Sequence, residues 1–247
     1  RREMSNRDKG REQDELVENT LSRRRFLQVA GASLVVASGG ATAHFSMSSA
    51  RADGQAFTLN VLHINDMHSR IESISGFDNT CPAADVEENK CFGGVGRVAT
   101  KIRERRDALR ADGANVITLD AGDQFQGSLF YTTYKGRAEG EFMNKIGFDA
   151  MAIGNHEFDD GPDVRAEFVD MLEFPVISGN VVIGDSESLA GKVDEWLVLD
   201  VGGQKIGILS VLTPDTATIA SPGPNVSFRE EIEYLKDAVS RIRSEEG

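Results

Sequence analysis

The chain is poor in cysteine, with two in 247 residues, Cys81 and Cys91. Neither has a second metal-binding thiol nearby, which argues against a structural zinc site. Nine residues of polar loop separate them. They pair as a disulfide if the compartment oxidises, and stay as two free thiols if it does not. Basic residues are also in deficit, with 27 Lys or Arg against 40 Asp or Glu, for a formal net charge of −13. Residues 1–52 carry nine Lys or Arg against six Asp or Glu, so the remainder carries −16. Such a field repels DNA, RNA and anionic membranes, and no nucleic-acid polymer is expected as a partner. A small phosphorylated substrate is not excluded, because bound divalent cations reverse the local charge. Nor is there a stretch fit to span a bilayer, since Leu27 to Ala43 is too short and too rich in Ala, Gly and Ser. Internal repeats and low-complexity tracts are absent.

What is present begins with an export signature. Ser22-Arg23-Arg24-Arg25-Phe26-Leu27 precedes the modest apolar run, and Ala41-Thr42-Ala43 and Ala50-Arg51-Ala52 offer cleavage sites. Paired arginines followed by a variable residue, Phe and Leu resemble the twin-arginine motif. Residues 1–52 are therefore read as a signal peptide and leader, with a twin-arginine translocase as partner and a periplasmic or secreted destination. Residues 53–247 form the folded part.

There, apolar strands alternate with helices. Phe57–Ile64, Val116–Leu119, Asp149–Ile153 and Pro175–Ser178 read as strands, and Val95–Arg110, Tyr131–Ile146 and Val164–Leu172 as helices. Val98, Ile102 and Leu109 fall on one face of the first helix. Trp196–Val201 and Lys205–Leu212 flank Gly202-Gly203 as a hairpin. Pro214, Pro222 and Pro224 mark an irregular segment. Phe228–Arg243 reads as an amphipathic helix with Ile232, Leu235, Val239 and Ile242 on one stripe. The alternation predicts a layered α/β domain with a largely parallel sheet.

Three polar clusters sit just past apolar strands: Asp66-Met67-His68, Gly122-Asp123, and Gly154-Asn155-His156-Glu157-Phe158-Asp159. Ends of parallel strands converge on one side of a sheet, where ligands bind. Asp66 and His68 are two apart, so an extended backbone points both side chains the same way. Asp123 follows a glycine that permits a tight turn, and Asn155-His156 follows Gly154 in the same arrangement. Carboxylate, imidazole and amide oxygen suit Zn²⁺, Mn²⁺, Co²⁺ or Fe. Glu157 reads as a cap for the next helix. Asp159 lies three residues beyond His156, where it orients the ring and favours its protonated form.

With these segments the chain resembles the 5'-nucleotidase family of the calcineurin-like metallophosphoesterases. The matching stretches are Leu62 to Arg70, Gly93-Gly94-Val95-Gly96-Arg97, Leu119 to Tyr131, Gly154 to Gly161 and Phe174 to Asn180. Leu119-Asp120-Ala121-Gly122-Asp123-Gln124-Phe125-Gln126-Gly127-Ser128 is the most specific. The resemblance spans residues 57–247 and implies a layered domain holding two divalent metals. It implies that Asp66 and His68 hold the first metal, that Asp123 bridges both and that Asn155 binds the second. His156 would face the phosphate, with Asp159 as its carboxylate partner. Arg97 would be structural, and Cys81 and Cys91 would close a short bridged loop. The implied reaction is hydrolysis of nucleoside 5'-monophosphates by a metal-activated water. A 2',3'-cyclic-nucleotide phosphodiesterase with 3'-nucleotidase activity, or an inactive metal- or phosphate-binding fragment, is the alternative. The family's two later histidine segments and its nucleobase-stacking C-terminal domain have no counterpart here. The expectation is thus the N-terminal part of a catalytic domain.

Export is directly testable. Replacing Arg23 and Arg24 together with lysine should leave the precursor in the cytoplasm, folded. Periplasmic delivery of the double variant at the unmodified rate would remove the twin-arginine reading.

Overall fold

Residues 56–184 and 188–246 are described by a computed structural model. The export segment expected at 1–52 lies outside them. Hydrogen-bonded β-branched and leucine-rich runs build a parallel sheet from β1 (Leu59–Ile64), β2 (Asn115–Asp120), β3 (Ala150–Ala152) and β4 (Val176–Ile177), in that order. β1 and β2 pair from Leu59 with Asn115 to Ile64 with Asp120, so both strands end at the same level. Parallel neighbours need crossover connections, and helices supply them. They are α1 (Ala83–Glu87) and α2 (Val95–Ala111) after β1, α3 (Leu129–Tyr134) and α4 (Arg137–Ile146) after β2, and α5 (Gly161–Met171) after β3. The result is the layered α/β domain expected, a parallel sheet flanked by helices.

The single helix expected over Tyr131–Ile146 is two. Lys135 and Gly136 adopt left-handed conformations, with φ of 50° and 90°. A Cβ on Gly136 would sit 2.5 Å from the Phe125 ring, so the ring takes the space a continued helix would fill. Phe125 itself is fully buried and packs 4.7 Å from Tyr131 and 4.8 Å from Phe168, centroid to centroid. Burying such a ring stabilises by about 1.5–3 kcal/mol, comparable with the cost of one left-handed residue such as Lys135.

Beyond β4 the chain forms two small antiparallel pairs. β6 (Trp196–Val201) and β7 (Gln204–Leu209) make the expected hairpin around Gly202-Gly203. β5 (Val181–Ile183) pairs with β8 (Val226–Phe228), a long-range match no local pattern announced. The proline segment contains a short helix, α6 (Thr216–Ile219). In the last helix, α7 (Glu231–Glu245), the buried line is Tyr234 and Ala238. Ile232 and Val239 of the expected stripe are exposed, because the Tyr234 ring, seated over Gly179, sets the helix rotation. Tyr234 donates to Glu195 O at 3.1 Å, and burial leads in raising its pKa to about 12. Among the described residues no helix is long and apolar enough to cross a membrane.

Cys81 and Cys91 are disulfide-bonded. The loop they close carries α1, and its base is tied by Ile74 and Phe92, which exchange backbone hydrogen bonds of 2.9 and 2.8 Å. Closing a loop this short stabilises by about 3 kcal/mol in the chain-entropy model. Non-reduced protein should give the two peptides linked by mass spectrometry, and reduction should lower the unfolding free energy by about that amount. Two freely alkylated thiols, or no stability change on reduction, would contradict this.

Candidate metal centre

The three ligand segments leave the C-terminal ends of β1, β2 and β3 and meet. The β1–β2 ladder continues past the strands: Asp66 N donates to Gly122 O at 2.9 Å, His68 N to Asp123 O at 3.0 Å and Ser69 N to Gln124 O at 2.8 Å. The segment is not the extended one expected. Asp66, His68 and Ser69 have φ of 54°, 44° and 55°, a left-handed turn. Asp66 Oδ1 and His68 Nε2 nonetheless lie 3.4 Å apart.

Asp123 stands at the second corner with φ of 57°, after Gly122 at 87°. Asp120, at the end of β2, shapes that corner. Its Oδ1 accepts Gly122 N–H at 2.8 Å and its Oδ2 accepts the Gln124 amide at 2.8 Å. Burial holds its carboxyl well above the usual range, against the pull of the Gly122 hydrogen bond. Gly154 at the third corner does not need a left-handed backbone. It needs space: a Cβ there would sit 2.3 Å from Asp123 Oδ1, and a Cβ on Gly122 would sit 2.4 Å from Gly154 N. The two loops therefore touch backbone to backbone.

Glu157 is what joins them. Rather than capping α5, its fully buried carboxylate accepts four backbone N–H groups. Oε2 takes Gly154 N at 2.7 Å and Asp123 N at 3.0 Å, and Oε1 takes Gln124 N at 2.7 Å and Phe125 N at 3.2 Å. Burial, then the charge of Asp123, push its pKa up, while these backbone bonds pull it down. The sequence offered an acid three residues past the third glycine, but nothing local to say that it points backwards into another loop.

His68, Asp123 and His156 bring one ligand atom each to within 4.8 Å of one another. Among the described residues this is the one such cluster. His68 Nδ1 lies 3.1 Å from Phe125 O, so it carries the proton and leaves the Nε2 lone pair free. Asp123 Oδ1 accepts His156 N–H at 2.9 Å. In the orientation that satisfies both amide atoms, Asn155 donates to Asp123 Oδ2 at 3.3 Å. His156 Nδ1 lies 2.7 Å from Asp159 Oδ2, as expected from their spacing. Burial works to lower the His156 pKa, but the Asp159 hydrogen bond and the charges of Asp123 and Asp159 outweigh it and raise it. Asp66, Asn155 and Asp159 are thus each in contact with a member of the cluster. A carboxylate, an imidazole lone pair and an amide on converging loops fit a divalent cation of the Zn²⁺ or Mn²⁺ kind. Arg97 donates to Gly93 O at 3.1 Å.

The calcineurin-like phosphoesterase model matches residues 59–240, which include all three corners. The chain belongs to that family. As a phosphoesterase chain it is 40% identical over 193 residues to a snake venom 5'-nucleotidase of Gloydius brevicauda, covering 76% of this chain and 31% of that protein. It is 38% identical over 192 residues to a 5'-nucleotidase of Homo sapiens, covering 76% and 32%. The solved 5'-nucleotidase precursor of Thermus thermophilus superposes with a TM-score of 0.65 at 36% identity, over 76% of this chain and 35% of the other. The phosphoesterase chain thus spans about a third of the length of the relatives it matches.

Glu157→Ala should destabilise the phosphoesterase domain by about 3 kcal/mol or more, since each buried donor left unpaired costs about 1–3 kcal/mol. Chemical denaturation reads this out. A loss under about 1 kcal/mol would mean that the two loops hold together without the carboxylate.

Proposed function

We propose that this chain carries the metal- and phosphate-handling residues of a 5'-nucleotidase-type phosphohydrolase, acting on nucleoside 5'-monophosphates. The observation that supports it most is the convergence of His68, Asp123 and His156 on adjoining strand-end loops, with Asp159 behind His156. The phosphoesterase family supplies the reaction class, and relatives named as 5'-nucleotidases supply the substrate class. Following the resemblance, Asp66 and His68 would hold a first metal and Asn155 a second, with Asp123 serving both. Divalent cations held by these residues would offset phosphoryl charge and lower the pKa of an attacking water.

His156 is close enough to the other two residues to read as a third ligand. The Asp159 contact suits either role, because ligand histidines also donate their second nitrogen to carboxylates. The resemblance favours the phosphate-facing role. There the imidazolium donates to a phosphoryl oxygen as charge builds on it, and Asp159 fixes the ring and stabilises its positive charge. The export segment supports action in the periplasm or outside the cell, after passage through a twin-arginine translocase.

Metal content and turnover separate these roles. Asp123→Asn should weaken binding of both metals. His156→Ala should leave metal content unchanged while lowering nucleoside 5'-monophosphate turnover by about 10²–10⁴-fold. Loss of metal in His156→Ala, with none in Asp123→Asn, would reverse the assignment.

A further inference from the structure

Glu139 is a buried acid that the proposed chemistry does not use. It lies in the first turn of α4 and is 2% exposed. A carboxylate in such a place needs a partner. Its Oε1 accepts the hydroxyl of Ser69, a residue 1% exposed and next to His68. Ser69 Oγ also accepts Tyr131 N–H at 3.0 Å and lies 2.8 Å from Ser128 Oγ. Ser128 Oγ in turn donates to Ser69 O at 2.6 Å. The Ser69 side chain is thus the knot where the β1 loop, the start of α3 and the start of α4 meet.

The knot sits at the end of a strained strap. Asp66, His68 and Ser69 all occupy the left-handed region, which costs non-glycine residues about 1–3 kcal/mol each and persists only where surroundings over-determine it. On the inner side the backbone ladder to Gly122, Asp123 and Gln124 holds the strap. On the outer side the side-chain anchors are Glu139, through Ser69, and Arg70, whose guanidinium donates to the carbonyls of His68 and Gly127. Arg70 is itself held by Asp78, an exposed residue of the loop that precedes the disulfide. Of these two anchors, Glu139 is the one that belongs to the packed helix layer.

We infer that Glu139 is a positioning residue for the metal-binding strap: through Ser69 it holds Asp66 and His68 in the backbone conformation that aims them at the cation. The inference rests on the reading of His68 as a metal ligand. It differs from a general stabilising role, which would loosen the whole domain equally. The first turn of a helix favours a carboxylate electrostatically, against burial that raises the Glu139 pKa and leaves Oε2 without a hydrogen-bond partner among the described residues.

Amide hydrogen exchange on the full chain distinguishes the two. In Glu139→Ala, the His68 and Ser69 amides should exchange about tenfold faster or more, while the β2 amides of residues 116–119 stay within about twofold. Glu139→Gln keeps an acceptor for Ser69 and should restore most of the protection. Ser69→Ala removes only the hydroxyl, should loosen the same amides, and serves if Glu139→Ala does not fold. Co²⁺ affinity, read from its visible absorption, should fall by about 10–100-fold in Glu139→Ala and recover in Glu139→Gln. Equal acceleration in strap and β2, or an unchanged strap, would overturn the inference, as would unaltered Co²⁺ affinity beside a loosened strap. If the unmodified chain took up no Co²⁺, the metal-centre reading would fail, while the exchange pattern would still decide whether Glu139 anchors the strap.

Discussion

One buried carboxylate sets the geometry on which the centre depends. Glu157 reaches from the third loop into the second and collects the N–H groups of Asp123, Gln124 and Phe125, with that of Gly154 from its own loop. Removing an ion from water costs several kcal/mol. Hydrogen bonds to a charged group return about 1.5–3 kcal/mol each, so four of them offset much of that cost, while burial and the charge of Asp123 still leave the pKa raised. The carboxylate also explains the small residues around it. Gly122 and Gly154 are in backbone contact, and any Cβ at either would force apart the loops that Glu157 draws together.

The same arrangement accumulates negative charge. Asp66, Asp120, Asp123, Glu157 and Asp159 crowd the ends of three strands, and the charge of Asp123 is second only to burial in raising the Glu157 pKa. Repulsion between acids this close is a standing cost unless cations share the space. A divalent ion held by the candidate cluster of His68, Asp123 and His156 would relieve it and reverse the local field. A domain of strongly negative net charge can in this way receive an anionic phosphate. The field that repels polyanions acts over the surface, whereas the cations act at the reacting group.

Much of this was legible in the sequence, and the reasons are local. The parallel strands showed as short apolar runs, and Asp66, His68, Asp123, Asn155 and His156 showed as polar residues where those runs stop. The His156–Asp159 pair was legible because three residues span one turn. What was hidden depends on distant partners. Phe125 packing on Gly136 breaks a helix whose periodicity runs on unbroken. β5 finds β8 across more than forty residues. Tyr234 turns α7 so that Ile232 and Val239 face outward despite their apolarity. Glu157 looked like a helix cap because its true acceptor role is toward a loop over thirty residues earlier. Glu139 looked like any acid in a helix first turn.

Strain gives the last link between fold and chemistry. Asp66, His68 and Asp123 are all non-glycine residues at positive φ. A relaxed strand continuation would keep Asp66 and His68 on one face of the sheet and run both onward along the strand axis. Left-handed turns instead fold the first two loops back at the level where β1 and β2 end together. The conformations are stable because backbone ladders and buried side chains hold both edges of each turn. Rigidity there would have a chemical use: side chains already in place would lose little freedom on binding a cation, so more of the binding free energy would appear as affinity. Asp120, Glu157 and the backbone ladder thus shape the candidate centre by keeping Asp66, His68 and Asp123 in conformations they would otherwise leave.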